Sequence, residues 1–261
     1  MIRVKKSLGQ NFLIDREVLE KITNVVQIKD KTILEVGPGT GNLTSFILKK
    51  NPKKMFVIEK DDDLAINLSE TFKDQLTIIN DDILQVDENL IFKNKVTVFG
   101  NLPYNISTEI LSKWITQTKD EFWFNNLILM FQKEVADRII AKFNTSDYGR
   151  LSILSNWKLK VQKICDIKPE SFSPRPKIDS SLFYFSPKKE FHKIKDPKHL
   201  EKVTRIFFNH RRKMLKKPFN QLFNGDQRVL NEFKIDLNLR PQNLDFDTYY
   251  QLTCAYENLR S

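Results

Sequence analysis

Short apolar runs alternate with amphipathic stretches along the first two thirds of the chain. Five runs have the length and the β-branched or aromatic content of buried strands. The predicted strands are residues 32–36, 55–59, 76–79, 96–99 and 127–131. The predicted helices between them include residues 43–50, 62–72 and 109–117. Strands that alternate with helices predict βαβ units and a parallel sheet that is buried on both faces.

The pattern changes in the last third of the chain. Two more strands are predicted, at 157–165 and 182–185, with a proline-rich loop between them. Helical periodicity then dominates from Pro197 to Leu259, in one long helix and two or three short ones. One face of the long helix is predicted to carry Leu200, Val203, Phe207 and Met214. The other face is predicted to carry Arg205, Arg212 and Lys216. We expect two domains, residues 1–187 and 188–261, the second one small and all-helical.

Composition narrows the class of protein. The apolar content of 40% and the charged content of 29% are those of a soluble globular protein. No apolar run is long enough to span a bilayer, and charges interrupt the apolar stretch near the N-terminus too early for a signal peptide. We therefore expect a cytoplasmic protein without a membrane partner. The two cysteines and three histidines lack the spacing of metal ligands, so no metal site is predicted.

Basic residues are concentrated in one segment. The net charge is +10, and residues 188–217 alone hold 12 Lys and Arg against 3 Asp and Glu, a net of +9. A concentrated basic patch is typical of a surface that binds a polyanion such as nucleic acid. The alternative is a helix face that is simply solvated.

A glycine turn follows the first predicted strand. Gly37, Gly39 and Gly41 lie between that strand and the next helix, where a ligand can approach the backbone closely. Asn42 stands where the dinucleotide fingerprint has its third glycine, and Glu35 in the strand argues against a pyrophosphate nearby. The turn therefore favours S-adenosylmethionine, which has no phosphate and carries a sulfonium cation.

Acidic residues follow the next two strands. Glu59 lies 22 residues after Gly37, where a carboxylate can accept both ribose hydroxyl groups. Asp82 can accept the amino group of the cofactor's adenine, with Ile83 against the ring face. Each residue alone could be a helix cap or a solvated acid. Together, at successive strand ends of one sheet, they predict a Rossmann-like class I S-adenosylmethionine-dependent methyltransferase fold.

The tetrad Asn101-Leu102-Pro103-Tyr104 ends the fourth predicted strand. The Asn101 amide oxygen and the Leu102 carbonyl can accept the two N–H bonds of an exocyclic amine. Pro103 restricts the backbone, and Tyr104 offers a ring on which a base can stack. The tetrad therefore suits an enzyme that methylates adenine N6, although Asn-x-Pro also occurs in ordinary turns.

Several motifs resemble the ribosomal RNA adenine dimethyltransferase family over essentially the whole chain. The similar segments are residues 6–13, the glycine turn 35–39, the tetrad with its continuation 101–107, the loop 172–180 and the basic stretch 208–213. The resemblance implies cofactor contacts from Asn11 and Leu13 in addition to Asn101. It also implies that Phe172 forms the second wall around the target base.

The resemblance implies dimethylation of N6 on two adjacent adenines in the 3′-terminal hairpin loop of small-subunit (16S) rRNA. Asp179 and the run 211–213 favour this housekeeping branch over the macrolide-resistance branch, which modifies large-subunit rRNA. The expected partner is small-subunit rRNA within a 30S-like assembly intermediate, and the expected enzyme is a monomer. The expected RNA-binding residues are Arg205, Arg211, Arg212, Lys213, Lys216 and Lys217.

Two other classes of protein share parts of this pattern. A DNA adenine-N6 methyltransferase shares the chemistry of the tetrad, but such enzymes usually carry Pro-Pro-Tyr after the first residue and do not resemble the basic C-terminal stretch. A non-catalytic ribosome-assembly factor could keep the fold without the activity. The intact Asn101, Tyr104, Glu59 and Gly37 argue against that alternative.

Overall fold

A seven-stranded sheet organises the first part of the chain in the computed structural model, which describes residues 10–118 and 121–260. The strands are β1 (Phe12–Leu13), β2 (Thr32–Val36), β3 (Lys54–Glu59), β4 (Thr77–Asn80), β5 (Val96–Gly100), β6 (Phe124–Gln132), β7 (Leu159–Ile167), β8 (Phe172–Ser173) and β9 (Ser180–Pro187). The helices are α1 (Arg16–Thr23), α2 (Asn42–Leu48), α3 (Asp62–Phe72), α4 (Glu88–Ile91), α5 (Ser107–Gln117), α6 (Lys133–Ile140), α7 (Arg150–Lys158), α8 (Pro197–Phe208), α9 (Lys216–Phe223), α10 (Gln227–Glu232) and α11 (Phe246–Asn258).

The sheet has the strand order β4-β3-β2-β5-β6-β9-β7. The strands β4, β3, β2, β5 and β6 are parallel, and β9 pairs antiparallel with β6. This arrangement confirms the predicted α/β fold with a buried parallel sheet. The order reverses between β2 and β5, and in such sheets ligands bind beyond the carboxyl ends of the strands at that reversal.

Burial explains why the central strands read as continuous apolar runs. All five residues of β5 are buried, and Ile33 and Leu34 of β2 are fully enclosed. Helices cover both faces of a parallel sheet, so each strand must be apolar on both sides. Each fully buried Ile or Leu side chain stabilises the fold by ~1.5–3 kcal/mol relative to an exposed one.

A second, two-stranded sheet joins distant parts of the chain. Strand β1 pairs antiparallel with β8, with Leu13 opposite Phe172. The Ile14 amide also donates to the Ser171 carbonyl at 2.8 Å, and the Asn42 side chain donates to the Leu13 carbonyl at 2.8 Å. These contacts hold the segment that contains Asn11 and Phe12 beside the glycine turn.

The chain forms two compact units. The first contains the described residues up to Lys113, together with 118–136 and 161–187. The second contains residues 188 onward, together with 114–117 and 137–160. Every regular element described after residue 188 is helical, as expected for the C-terminal part. The assignment of residues 1–187 and 188–261 to separate functional domains stays a prediction.

Two details of the secondary-structure prediction are wrong. Trp157 was expected at the start of a strand, but it lies in α7, and β7 begins only at Leu159. The long helix was expected to carry Met214 on its apolar face and Arg212 and Lys216 on the other face. The structure ends α8 at Phe208, Met214 is 57% exposed, and Lys216 begins α9. Residues 6–9 of the N-terminal motif lie outside the described residues. Among the residues that are described, no helix has both the length and the apolar composition of a membrane span.

A buried carboxyl group connects β2 to α2. Glu35 is only 2% exposed, and the Thr44 hydroxyl donates to its Oε2 at 2.7 Å. Burial, opposed by this hydrogen bond and assisted by the nearby Glu59, raises the pKa of Glu35 to about 8. The Glu35 carboxyl is therefore mostly neutral at pH 7.

This carboxyl predicts how stability depends on pH. Unfolding returns its pKa to about 4.5, so between that value and about pH 8 unfolding releases a proton. The free energy of unfolding should therefore fall with rising pH, by up to ~1.4 kcal/mol per pH unit from this group. Glu35→Gln keeps an acceptor for Thr44 and should remove that slope. Urea unfolding at a series of pH values from 5 to 8 measures this slope. Glu70 is exposed, so Glu70→Gln is the control. An unchanged slope in Glu35→Gln would contradict the assignment.

Candidate active site

The glycine turn after β2 has a backbone that favours glycine. Gly37, Gly39 and Gly41 have φ angles of 67°, 57° and 81°, in the left-handed region. A Cβ at Gly39 would lie 2.7 Å from the Phe12 ring. Phe12 therefore packs directly on the turn, and a side chain at position 39 would displace it.

Glu59 is held in place at the end of β3. Its carboxylate accepts the Gly39 amide at 3.1 Å and the Asp61 amide at 2.9 Å. The residue is 7% exposed, and burial raises the pKa of Glu59 although the two amides favour the ionised form. The same carboxylate thus fixes the glycine turn and faces the space beyond the strand ends.

The loop after β4 carries the second predicted acid. Asp82 accepts the Lys60 ammonium at 2.7 Å and the Leu84 amide at 3.0 Å. The Lys60 hydrogen bond is the main cause of the lowered pKa of Asp82, so this carboxylate is ionised at neutral pH. Ile83, next in the chain, is 5% exposed.

The orientation of the Asn101 amide follows from one contact. Its Nδ2 donates to the Asn11 carbonyl at 2.7 Å. A carbonyl oxygen can only accept, so the NH₂ end of the amide must face Asn11. The Oδ1 atom therefore points to the other side as a fixed acceptor.

Tyr104 is held by its hydroxyl group. The Tyr104 hydroxyl lies 2.6 Å from Oγ of Ser180, which is fully buried in β9. Burial raises the pKa of Tyr104, so the phenol stays neutral. Pro103 precedes Tyr104 and limits the backbone conformations at this point of the chain. The ring therefore has a defined position.

These elements surround one cavity of about 220 Å³. The predicted site residues that line it are Asn11, Gly37, Gly39, Glu59, Asp82, Ile83, Asn101, Leu102, Pro103 and Tyr104. Two predicted residues are placed elsewhere, since Leu13 and Phe172 are 4% and 3% exposed within the apolar core. Glu35 does not line the cavity either, so its carboxyl group has no direct contact with a ligand there.

Among the residues near the cavity that the sequence did not single out, three have defined contacts. Phe12 lines the cavity, Lys60 pairs with Asp82, and Ser180 holds Tyr104. Phe12 lies inside a motif that was recognised, but nothing in the sequence shows that its ring covers Gly39. The contacts of Lys60 and Ser180 join distant parts of the chain, so no local pattern indicates them. Within 10–118 and 121–260, no group of three His, Cys, Asp or Glu could hold a metal ion.

The predicted RNA-binding residues lie in the second unit and differ in their surroundings. An open groove of about 880 Å³ is lined by Arg212, Lys213, Lys216 and Lys217, joined by Arg240. Arg211 has another role: it donates to the Thr145 carbonyl at 3.1 Å and to Gln242 at 3.3 Å. Arg205 is exposed on α8.

Asp179, which distinguishes the two branches of the resembled family, lies on the first unit. Its carboxylate pairs with Lys168 at 2.8 Å, and its carbonyl accepts the Lys133 amide at 2.9 Å. Asp179 thus joins the start of α6 to the segment before β9.

Sequence comparison supplies the family. The profile described as ribosomal RNA adenine dimethylase matches residues 1–257. The chain belongs to this family. It is therefore an S-adenosylmethionine-dependent methyltransferase of the kind that acts on ribosomal RNA, as the resemblance implied.

Individual relatives agree with this placement. The ribosomal RNA small subunit methyltransferase A of Pelagibacter ubique is 67% identical, and the match covers 99% of each chain. The protein of the same name from a Wolbachia strain is 40% identical over 99% of this chain and 96% of its own. A dimethyladenosine transferase from Plasmodium falciparum superposes with a TM-score of 0.77 at 26% identity, over 95% of this chain and 98% of its own. The 23S rRNA methyltransferase ErmE, at 19% identity, shares the fold with a TM-score of 0.68, over 96% of this chain and 100% of its own.

The hydrogen bond between Tyr104 and Ser180 can be tested by removing either of its two partners. Tyr104→Phe and Ser180→Ala each remove the same hydrogen bond while they keep the ring. Each should lower the rate of methyl transfer by about fivefold, the equivalent of ~1 kcal/mol. Because both act through one bond, the double variant should be no slower than either single variant. Additive losses in single-turnover assays would contradict the assigned contact.

Proposed function

We propose that this protein transfers methyl groups to N6 of two adjacent adenines in the 3′-terminal hairpin loop of small-subunit rRNA. The names of its relatives support the small subunit as the source of the RNA. The observation that carries the chemistry is the fixed Asn101 amide, whose oxygen is an acceptor beside the cavity.

The cavity fits S-adenosylmethionine. Glu59 can accept the ribose hydroxyl groups, and Asp82 can accept the adenine amino group with Ile83 against the ring. The backbone of Gly37 and Gly39 lines the cavity, and glycine adopts their left-handed φ angles without strain. When bound there, the cofactor supplies a methyl group attached to a sulfonium, which is already a good electrophile.

Asn101 and Leu102 act on the attacking nitrogen. The lone pair of adenine N6 is delocalised into the ring and is a weak nucleophile. In the first transfer, hydrogen bonds from the two N6–H groups to Asn101 Oδ1 and to the Leu102 carbonyl favour a tetrahedral nitrogen with a localised lone pair. In the second transfer, the one N–H that remains can donate to one of these two acceptors. Positive charge that develops on nitrogen strengthens these bonds, so they stabilise the transition state more than the bound substrate. The nitrogen becomes strongly acidic once it is methylated and releases its proton to water, so no general base is required.

The target adenine must leave its stack to reach these acceptors. Tyr104 offers one face for the extruded base, and its bond to Ser180 holds the ring ready. Phe172 as the second wall stays a prediction: its ring is buried in the core, so it would have to move to meet a base.

The basic groove suits the RNA backbone. Five Lys and Arg side chains line it, the first being Arg212 and the last Arg240. They can neutralise phosphates outside the active site. We expect the protein to act as a monomer on a 30S-like assembly intermediate in the cytoplasm, where that RNA is assembled.

The central experiment measures where methyl groups go. The protein should transfer label from S-adenosylmethionine to unmethylated small-subunit particles, yielding N6,N6-dimethyladenosine. Asn101→Ala should lower the transfer rate at least ~100-fold, because an acceptor that acts in the transition state is lost, while S-adenosylhomocysteine still binds. Label in DNA instead of rRNA would favour the DNA methyltransferase. Cofactor binding without any transfer would favour a non-catalytic factor, and full activity of Asn101→Ala would refute the role of the tetrad.

The groove predicts how RNA binding depends on salt. Each phosphate contact contributes roughly 0.7–0.9 to the slope of log K against log salt concentration. Arg212→Gln combined with Lys213→Gln should therefore lower that slope by about 1–2. Lys29→Gln with Lys31→Gln, on exposed positions of the first unit, is the matched control and should leave it unchanged. Equal slopes for all three proteins would contradict the assignment of the groove.

A further inference from the structure

A buried lysine lies behind the proposed cofactor site. Lys113 is on α5, the helix that follows the catalytic tetrad, and its side chain is only 9% exposed. A buried ammonium loses its hydration, so its retention requires strong compensating contacts. The contacts of its ammonium described below come from the segment that follows β4.

The ammonium of Lys113 meets three acceptor groups. It donates to the Ile83 carbonyl at 2.7 Å, to the Val86 carbonyl, and to both carboxylate oxygens of Glu88 at 3.0 and 3.1 Å. An ammonium has three N–H bonds, so one donor is available for each group. Glu88 is 1% exposed and neutralises the charge.

The same segment forms a wall of the cavity. Asp82 and Ile83 line it, and the loop turns back on itself through the Gln85 amide, which donates to the Asp82 carbonyl at 2.8 Å. Because the Ile83 and Val86 carbonyls accept hydrogen bonds from Lys113, the loop has a fixed position relative to α5. The Lys113 charge also helps to lower the pKa of Asp82, after the larger effect of Lys60.

We propose that Lys113 is a positioning residue for the cofactor's adenine: it fixes the loop 81–87 so that Asp82 and Ile83 meet the base. The inference rests on the proposed placement of S-adenosylmethionine in this cavity. It also links the two halves of the site, because α5 begins three residues after Tyr104, the last residue of the tetrad that receives the target amine. Lys113 itself does not line the cavity, so it acts only through the loop.

Calorimetry with two ligands separates positioning from general stability. The ligands are S-adenosylhomocysteine and an analogue of it that carries unsubstituted purine in place of adenine. Purine has the same ring system but lacks the amino group. The wild-type protein should prefer the adenine ligand by about 10-fold or more, because Asp82 accepts that amino group. Lys113→Met should weaken binding of the adenine ligand about 10-fold and bring this preference close to one. Asp82→Ala should have the same effect, and the double variant should add little.

A matched control comes from another buried lysine. Lys158 is 3% exposed and lies in the second unit, where it stacks on Trp157. Lys158→Met should lower the melting temperature without changing either dissociation constant. If Lys113→Met does not fold, Lys113→Arg provides the same test, since it keeps the charge opposite Glu88 but cannot reproduce all three contacts. It should then lose part of the preference.

The outcomes are distinct. A Lys113 variant that keeps the wild-type preference for adenine, or that weakens both ligands equally, overturns the proposal. A Lys113 variant that loses more affinity for the adenine ligand than for the purine ligand supports it. A wild-type protein that binds neither ligand would contradict the proposed function itself, before Lys113 is tested.

Discussion

The hydrogen bond from the Asn101 side chain to the Asn11 carbonyl is the contact on which the proposed active site depends. An asparagine amide can present either a donor or an acceptor, and this bond decides which end faces the cavity. Asn11 is itself held in place because β1 pairs with β8 and the Leu13 carbonyl accepts Asn42. The chemistry of the tetrad therefore requires contacts between residues that lie about ninety positions apart in the chain.

Much of the fold was predictable because a parallel sheet leaves a strong local pattern. Strands β2 to β6 each contain a short apolar run, so their positions were found from the sequence, and α3 matches its predicted bounds. The errors lie where local preference is weak. Trp157 lies one residue before the end of α7, which runs directly into β7 with no turn residue between them. Met214 continues the helical periodicity of α8, but the chain has already left the helix at Phe208.

The site was predictable wherever its residues follow strand ends. Glu59, Asp82 and Asn101 come together because parallel strands end at one edge, which is a rule of topology. Long-range packing was not predictable. Phe172 was expected at the target base, yet its ring packs in the core opposite Leu13. Lys113 resembles a solvated helix lysine in the sequence, and only the fold shows its three buried acceptors. Arg211 lies within the predicted basic run, but its guanidinium group donates hydrogen bonds to protein carbonyl groups and does not stand free on the surface.

An experimental structure of the protein with S-adenosylhomocysteine and an RNA hairpin that carries the target adenine would test the central claim most directly. The distances to measure join adenine N6 to Asn101 Oδ1 and to the Leu102 carbonyl oxygen. We expect both to be ~3 Å, with Asn101 Nδ2 still bonded to Asn11. An adenine N6 that contacts only water, or an Asn101 amide turned with its nitrogen toward the base, would contradict the account.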